Sequence, residues 1–112
     1  MTPLQVQNRA ASDLGILRLG QALRPEDLTR IEAAYDEVYA QLKKEGLTSW
    51  TDDVPDAVVP FVVSLICENC LGTYGVSPER YQRIVNVSTT AKVKIREQVN
   101  PAHVSMSDPE DF

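Results

Sequence analysis

Apolar residues recur at helical spacing in four stretches of this chain, and each stretch begins at or near a proline. The clearest stretch runs from Pro25 to Glu45, where the apolar side chains lie three and four residues apart and so share one face of an α-helix. They are Leu28, Ile31, Tyr35, Val38 and Leu42. Three of the stretches are followed by a glycine (Gly15, Gly46 or Gly75), which suits the left-handed turn just past a helix end. The pattern therefore predicts four helices.

The first helix is predicted over Pro3–Leu14. Thr2 stands in the N-cap position and Gln5 three residues later, which is the spacing of a capping box. The apolar residues that fall near one face are Leu4, Ala10, Ala11 and Leu14. Residues 15–24 are predicted to form an irregular connector with apolar side chains that pack against the core. These side chains are Ile16, Leu17, Leu19 and Leu23.

The third helix is predicted from about Pro55 to Tyr74 and is apolar on nearly every side. A helix of this kind belongs in the middle of a bundle or at a contact between subunits. Pro60 either delays the start of the helix to about Val58 or bends its first turns. A polar loop precedes this helix, and its Trp50 is expected either to close the end of the bundle or to anchor a subunit interface.

The fourth helix is predicted to begin at Ser77-Pro78 and to end before Pro101. Its core-facing stripe consists of Tyr81, Ile84, Ser88, Ala91 and Ile95. Frequent β-branched residues from Val85 to Val93 leave a strand as the alternative. The predicted fold is all-α: a four-helix, bundle-like domain over residues 1–99, followed by an extended, disordered C-terminal tail at residues 100–112.

Composition limits the class of protein. The chain has 112 residues, enough for one domain, and its net charge of −5 weighs against a dedicated DNA-binding domain, which is usually basic. The longest apolar stretch, residues 57–67, is shorter than the ~20 residues of a membrane span. Residues 1–13 are too polar for a signal peptide. We therefore expect a protein that is made in the cytoplasm and has no membrane partner.

Catalytic and metal-binding patterns are sparse. Cys67 and Cys70 are spaced like a redox or zinc pair, but zinc needs two further ligands, and the one histidine, His103, lies in the predicted tail. A redox pair places its first cysteine at a helix N-terminus, whereas Cys67 falls in the middle of an apolar helix. Buried structural thiols are the favoured interpretation, with metal or redox use as the alternative. We expect no enzymatic activity and no cofactor.

The charges divide between two helices. The second helix is acidic and includes Glu32 and Asp36, and the fourth is basic. The basic residues of interest are Arg83, Lys92, Lys94 and Arg96. The simplest interpretation is two solvated faces or a pairing within the chain. Alternatively, the acidic face meets the basic face of an identical neighbour, a head-to-tail contact that can close into a ring. A third possibility is that the basic helix lines a channel for DNA.

The order of these features resembles the head-to-tail adaptor family of short-tailed bacteriophages, also called tail accessory factors, over roughly residues 3–99. The resemblance lies in layout and not in a signature motif. The matching features, in chain order, are Leu14-Gly15; Pro25-Glu26-Asp27; Leu42, Lys43, Lys44, Gly46 and Leu47; Trp50, Asp52, Asp53 and Pro55; Cys67 and Tyr74; and Thr89-Thr90-Ala91-Lys92 with Ile95 and Gln98.

The resemblance implies a structural subunit that forms a twelve-fold ring beneath the portal protein, at the head–tail junction of the virion. Such a ring links the portal to a downstream tail protein (a nozzle or tail hub), lies near the genomic DNA and helps to retain it. The C-terminal tail would embed in the portal, although family members carry a longer extension. The implied portal contacts are Pro101, His103, Val104, Met106 and Phe112.

Candidate residues for contacts between subunits of the ring come from the charged faces and from the loop tryptophan. They are Glu32, Asp36, Arg83, Lys92, Lys94, Arg96 and Trp50. The alternative function is a small helical DNA-binding or regulatory module that uses the fourth helix as a basic recognition element. The acidic total charge and the lack of helix-turn-helix spacing weigh against that alternative.

Overall fold

The computed structural model of the protein describes residues 1–17, 21–48 and 50–99. In these ranges the chain forms four α-helices and no strand, which confirms the all-α prediction. The helices are α1 (Pro3–Leu14), α2 (Pro25–Lys44), α3 (Val59–Cys70) and α4 (Pro78–Val99). The strand alternative for residues 85–93 is wrong, because these residues continue α4. The predicted tail, residues 100–112, lies outside the described residues.

The helix ends follow the signals in the sequence. The Thr2 hydroxyl accepts a hydrogen bond from the Gln5 N–H at 3.2 Å, and the Gln5 side chain accepts one from the Thr2 N–H at 2.9 Å. At the end of α2, Gly46 has a φ of 74°, and the Leu47 N–H folds back to the Leu42 carbonyl at 2.8 Å. Local chemistry therefore sets these boundaries, as expected for a capping box and a glycine C-terminal cap.

The end of α1 also contacts α4. Gly15 has a φ of 82° and follows the last residue of α1. Beside it, the Arg80 guanidinium donates a hydrogen bond to the Asp13 carbonyl at 3.0 Å. A cation is favoured there because the C-terminal end of a helix carries partial negative charge. Arg80 thus ties the first turn of α4 to the last turn of α1.

Alanine at Gly15 is expected to destabilise the protein more than alanine at Gly46. Both positions have positive φ, where a Cβ costs about 1–2 kcal/mol. A Cβ at Gly15 would also lie 2.5 Å from Arg80 Nη1, whereas a Cβ at Gly46 meets nothing within 4 Å. We expect Gly15→Ala to lose about 0.5 kcal/mol more than Gly46→Ala in urea unfolding, because the end of the Arg80 side chain must move and give up its exposed hydrogen bond to the Asp13 carbonyl. Equal losses would show that the Arg80 contact contributes nothing.

Helix α3 is the central element and packs against each of the other three helices. It begins at Val59 with Pro60 in its first turn, so the proline delays the start of the helix, one of the two predicted outcomes. The predicted end at Tyr74 is wrong, since α3 stops at Cys70. Residues 71–74 form tight turns that include Gly72, a residue that is unfavourable inside a helix. These turns carry Tyr74 toward α2.

The core is one continuous cluster around α3. Its fully buried members include Val6, Ile31, Ile66 and Ile95. Ile16 and Leu23 of the connector pack against this cluster, while Leu19 lies outside the described residues.

Two side chains predicted to face the core do not. Leu4 is 55% exposed and Tyr81 is 50% exposed. Val6, and not Leu4, is four residues before Ala10 and shares its face. Tyr81 lies in the first turn of α4, at the end of the stripe, and burial along this helix begins one turn later at Ile84. Among the described helices, none has both the length and the apolar character needed to cross a membrane.

Candidate assembly surfaces

The acidic and basic residues proposed for subunit contacts lie on the surface of two different helices. Glu32 and Asp36 are exposed on α2. Arg83, Lys94 and Arg96 are exposed on α4. Within the described ranges, none of these five side chains forms an ion pair. Glu32 and Asp36 are four residues apart and share one face of α2. Arg83 and Lys94 are eleven residues apart and share one face of α4, whereas Arg96 lies on another side of that helix. The chain therefore presents an acidic pair on α2 and a basic pair on α4.

Lys92 differs from the other candidates because it is paired within the chain. Its ammonium lies 2.8 Å from the Glu45 carboxylate, just past the end of α2, and both side chains are about one-third exposed. An ion pair with this exposure contributes little to stability. Its effect is to occupy Lys92 within the chain, which makes this ammonium less available to a neighbouring molecule.

A groove of about 300 Å³ lies between α1, α3 and α4, and we call it the basic groove. Its lining residues are Arg9, Asp13, Pro60, Ser64, Cys67, Arg83, Ile84 and Val87. Apolar side chains of α3 and α4 contribute much of its wall, and the lining includes one arginine from α1 and one from α4. Sequence reasoning did not find this site, because its residues come from three helices that are distant in the chain.

A second groove of about 300 Å³ lies between α2, α3 and α4 and is more polar. Val38, Leu42 and Leu65 line it together with the polar residues Gln41, Glu68, Asn69 and Lys92. At its edge, the Ser88 hydroxyl donates a hydrogen bond to Glu68 at 3.0 Å. The charges at this groove are thus largely satisfied within the chain, since Lys92 also pairs with Glu45.

Asp27, in the first turn of α2, is a buried carboxylate that is only 2% exposed. The Tyr74 hydroxyl donates a hydrogen bond to it at 2.8 Å, and the Arg24 side chain donates another at 3.1 Å. The hydrogen bond from Tyr74, supported by Arg24, holds the pKa of Asp27 below its usual value despite the opposing effect of burial. The three residues fasten the turn after α3 to the start of α2.

Replacing Tyr74 with phenylalanine is expected to cost about 1–2 kcal/mol of unfolding free energy at neutral pH, because a buried carboxylate loses a donor. Because the pKa of Asp27 is lowered in the folded state, its ionised carboxylate stabilises the fold at any pH above the pKa of the unfolded chain, about 3.9. This contribution is lost as the pH falls through the lower pKa of the folded state. The difference between Tyr74→Phe and the parent should therefore shrink in acid. Urea unfolding at several pH values tests this, with Tyr81→Phe as the control at a half-exposed tyrosine. A loss that does not change with pH would contradict the account.

Trp50 lies in the core of the chain and is 8% exposed. The Tyr39 hydroxyl donates a hydrogen bond to the Trp50 carbonyl at 2.9 Å, and the two rings lie 6.4 Å apart. Among the described residues, its buried indole N–H has no hydrogen-bond partner. Trp50 therefore has little surface left to contact a neighbouring molecule. Its packing agrees better with the first expectation, that it closes the end of the bundle, than with the second, that it anchors an interface.

The two cysteines are free and buried. Cys67 is fully buried, and its thiol lies 3.5 Å from the Ala10 carbonyl of α1. Burial raises the pKa of Cys67 to about 12 and also raises the pKa of Cys70. Thiols with raised pKa values stay protonated at neutral pH and are poor nucleophiles and metal ligands. The described residues contain no group of three or more His, Cys, Asp or Glu placed to hold a metal ion.

The residues predicted to contact the portal are Pro101, His103, Val104, Met106 and Phe112, and all of them lie outside the described residues. The described part of the chain therefore offers three kinds of feature that bear on function: the charged surfaces, the two grooves and the Asp27 cluster. In comparisons with known proteins, no protein-family model, no curated protein and no solved structure matches this chain.

Proposed function

We propose that this chain is a structural, non-enzymatic subunit of a tailed bacteriophage: a head-to-tail adaptor that forms a ring beneath the portal protein. The ring joins the portal to the next tail protein and helps to retain the packaged DNA. The observation that carries the proposal is the pair of oppositely charged surfaces, acidic on α2 (Glu32 and Asp36) and basic on α4 (Arg83 and Lys94), whose four residues make no ion pair within the described part of the chain.

Two different surfaces that complement each other favour a ring. A contact between unlike patches is heterologous, and repeated copies close into a ring when the rotation between neighbours permits it. In the proposed contact, Glu32 and Asp36 of one copy face the basic side chains of α4 in the next. Lys92 takes a smaller part, because it already pairs with Glu45. Trp50 takes none, because it is buried in its own subunit.

The proposed portal contact is the C-terminal segment, residues 100–112. It follows the last turn of α4 and contains the apolar residues Val104, Met106 and Phe112 among polar and acidic residues. A segment of this kind can gain order on a partner, and new contacts then offset the entropy lost on ordering. The helical core supplies the body of the ring, and the segment supplies its attachment.

Binding to portal rings of the same phage tests the proposal. The full chain should sediment with purified portal rings, and a variant that ends at residue 99 should stay in the supernatant. The buried core found among the described residues lies before residue 99, so the shortened variant should keep its helix content, which circular dichroism checks. Failure of the full chain to sediment with the portal would refute the attachment. Equal binding by both variants would show that the attachment lies elsewhere.

A DNA-binding module is the second candidate, and the exposed basic side chains of α4 are the observation that favours it. Binding to duplex DNA through phosphates weakens steeply with salt, with a slope of about −0.9 per phosphate contact on logarithmic axes. A gel-shift titration without portal separates the two functions. The adaptor predicts no salt-sensitive complex, whereas the module predicts one that Arg83→Glu and Lys94→Glu abolish.

A further inference from the structure

The basic groove has the character of a binding site for an acidic, partly apolar segment. Ile84 and Val87 of α4 and Pro60 of α3 supply an apolar wall, while Arg9 of α1 and Arg83 of α4 supply positive charge. Lys94 lies on the same side of α4 as Val87, because the two are seven residues apart, and it is exposed. Asp13 is the one acidic lining residue, so this groove is positive on a chain whose net charge is −5.

The chain itself contains a segment with the complementary composition. Residues 104–112 carry three acidic side chains and no lysine or arginine, together with three large apolar side chains. The acidic residues are Asp108, Glu110 and Asp111, and the apolar ones are Val104, Met106 and Phe112. We propose that residues 104–112 occupy the basic groove of their own subunit, running back along α4. The second groove is a poorer match, because Glu68 lines it and Glu45 already neutralises its lysine.

The chain length permits this docking within one subunit. Val87 lies twelve residues before the end of α4 at Val99, a distance of about 18 Å at 1.5 Å per residue. Residues 100–106 span about 23 Å when extended, so Met106 can return to the level of Val87. Asp108 can by the same measure reach Arg83, which lies about 24 Å from the end of α4.

Docking of this segment would also affect ring assembly, an inference that rests on the proposed function. The docked segment would cover Arg83 and Lys94, two of the basic residues proposed to contact the next subunit. Transfer of residues 104–112 from the groove to the portal would uncover these side chains. Subunits would then stay apart in solution and join only where a portal has taken the segment, which couples attachment to ring closure.

Disulfide trapping in the full chain, without portal, tests the docking. The test variant combines Val87→Cys with Met106→Cys, and its matched control combines Val93→Cys with Met106→Cys. Val87 lines the groove and is 38% exposed, whereas Val93 is outside it and 50% exposed. Val93 is nearer to Met106 along the chain, so a freely moving segment would favour the control. Met106→Cys alone reports any reaction with the buried native cysteines.

With dilute protein and oxidised glutathione, the Val87 pair should form a disulfide within one chain about tenfold faster than the Val93 pair, because docking raises the local concentration of residue 106. Adding Arg9→Glu and Arg83→Glu should remove this advantage. The proposal would be overturned if the control, Val93→Cys with Met106→Cys, reacted equally fast or faster. It would also be overturned if the disulfide of Val87→Cys with Met106→Cys formed only between chains. Because no portal is present, failure here leaves the adaptor function standing, and success here does not depend on it.

Discussion

Replacing Ile66 with alanine is expected to lower the free energy of unfolding by about 2–5 kcal/mol, the cost of emptying a fully buried site that collapses only in part. Ile66 lies in α3, has no exposed surface, and belongs to the helix on which the other three pack. Domains of this size are stabilised by about 5–15 kcal/mol in total, so one such change removes a large share.

The effect is measured by urea unfolding followed by circular dichroism. Val93→Ala is the matched control, because Val93 is a β-branched residue on α4 that is half exposed. We expect this control to stay within about 0.5 kcal/mol of the parent protein. If Ile66→Ala and Val93→Ala cost the same, α3 is not the centre of the core and the described fold is wrong.

Reversing the acidic surface of α2 is expected to abolish ring assembly on the portal. In Glu32→Lys with Asp36→Lys, the basic surface of one subunit would meet a basic surface on the next, and like charges across an interface cost several kcal/mol. Reversing the other side, with Arg83→Glu and Lys94→Glu, should abolish assembly equally. All four residues are exposed, so each double variant should fold like the parent.

The sharper result comes from mixing the two double variants. One has two basic surfaces and the other two acidic surfaces, so neither assembles alone, but the two can alternate around a ring with an even number of subunits. We expect ring assembly to return in the equimolar mixture, as counted by electron microscopy of portal complexes, and to weaken as salt screens the charges. A mixture that stays unassembled, while the parent forms rings, would show that these residues do not face each other.

Much of the fold could be predicted because its boundaries depend on neighbouring residues. Thr2 and Gln5 cap α1, and Gly15 and Gly46 end α1 and α2, through bonds that span three to five residues. Proline and glycine impose these turns through their own backbone preferences. The stripe of α2 likewise follows from spacing alone, which is why four helices were expected and found.

The features that could not be predicted join residues far apart in the chain. Tyr74 donates to Asp27 across 47 positions, and Lys92 pairs with Glu45 across 47 positions. The apolar pattern continues to Tyr74, so the sequence predicts that α3 reaches this residue. In the structure α3 ends at Cys70, and Tyr74 lies beyond it and donates a hydrogen bond to Asp27. The basic groove needs the packing of α1, α3 and α4, which no periodicity reveals. Charge signs could be predicted, but not which charges are already paired.

The central claim is that the chain works by assembling around a portal and not by chemistry of its own. Electron microscopy of the full chain mixed with portal rings of the same phage tests it most directly. The account predicts a closed ring of added density at the base of each portal, built from the helical subunit. Portals that remain bare at saturating concentrations of the folded chain would contradict it.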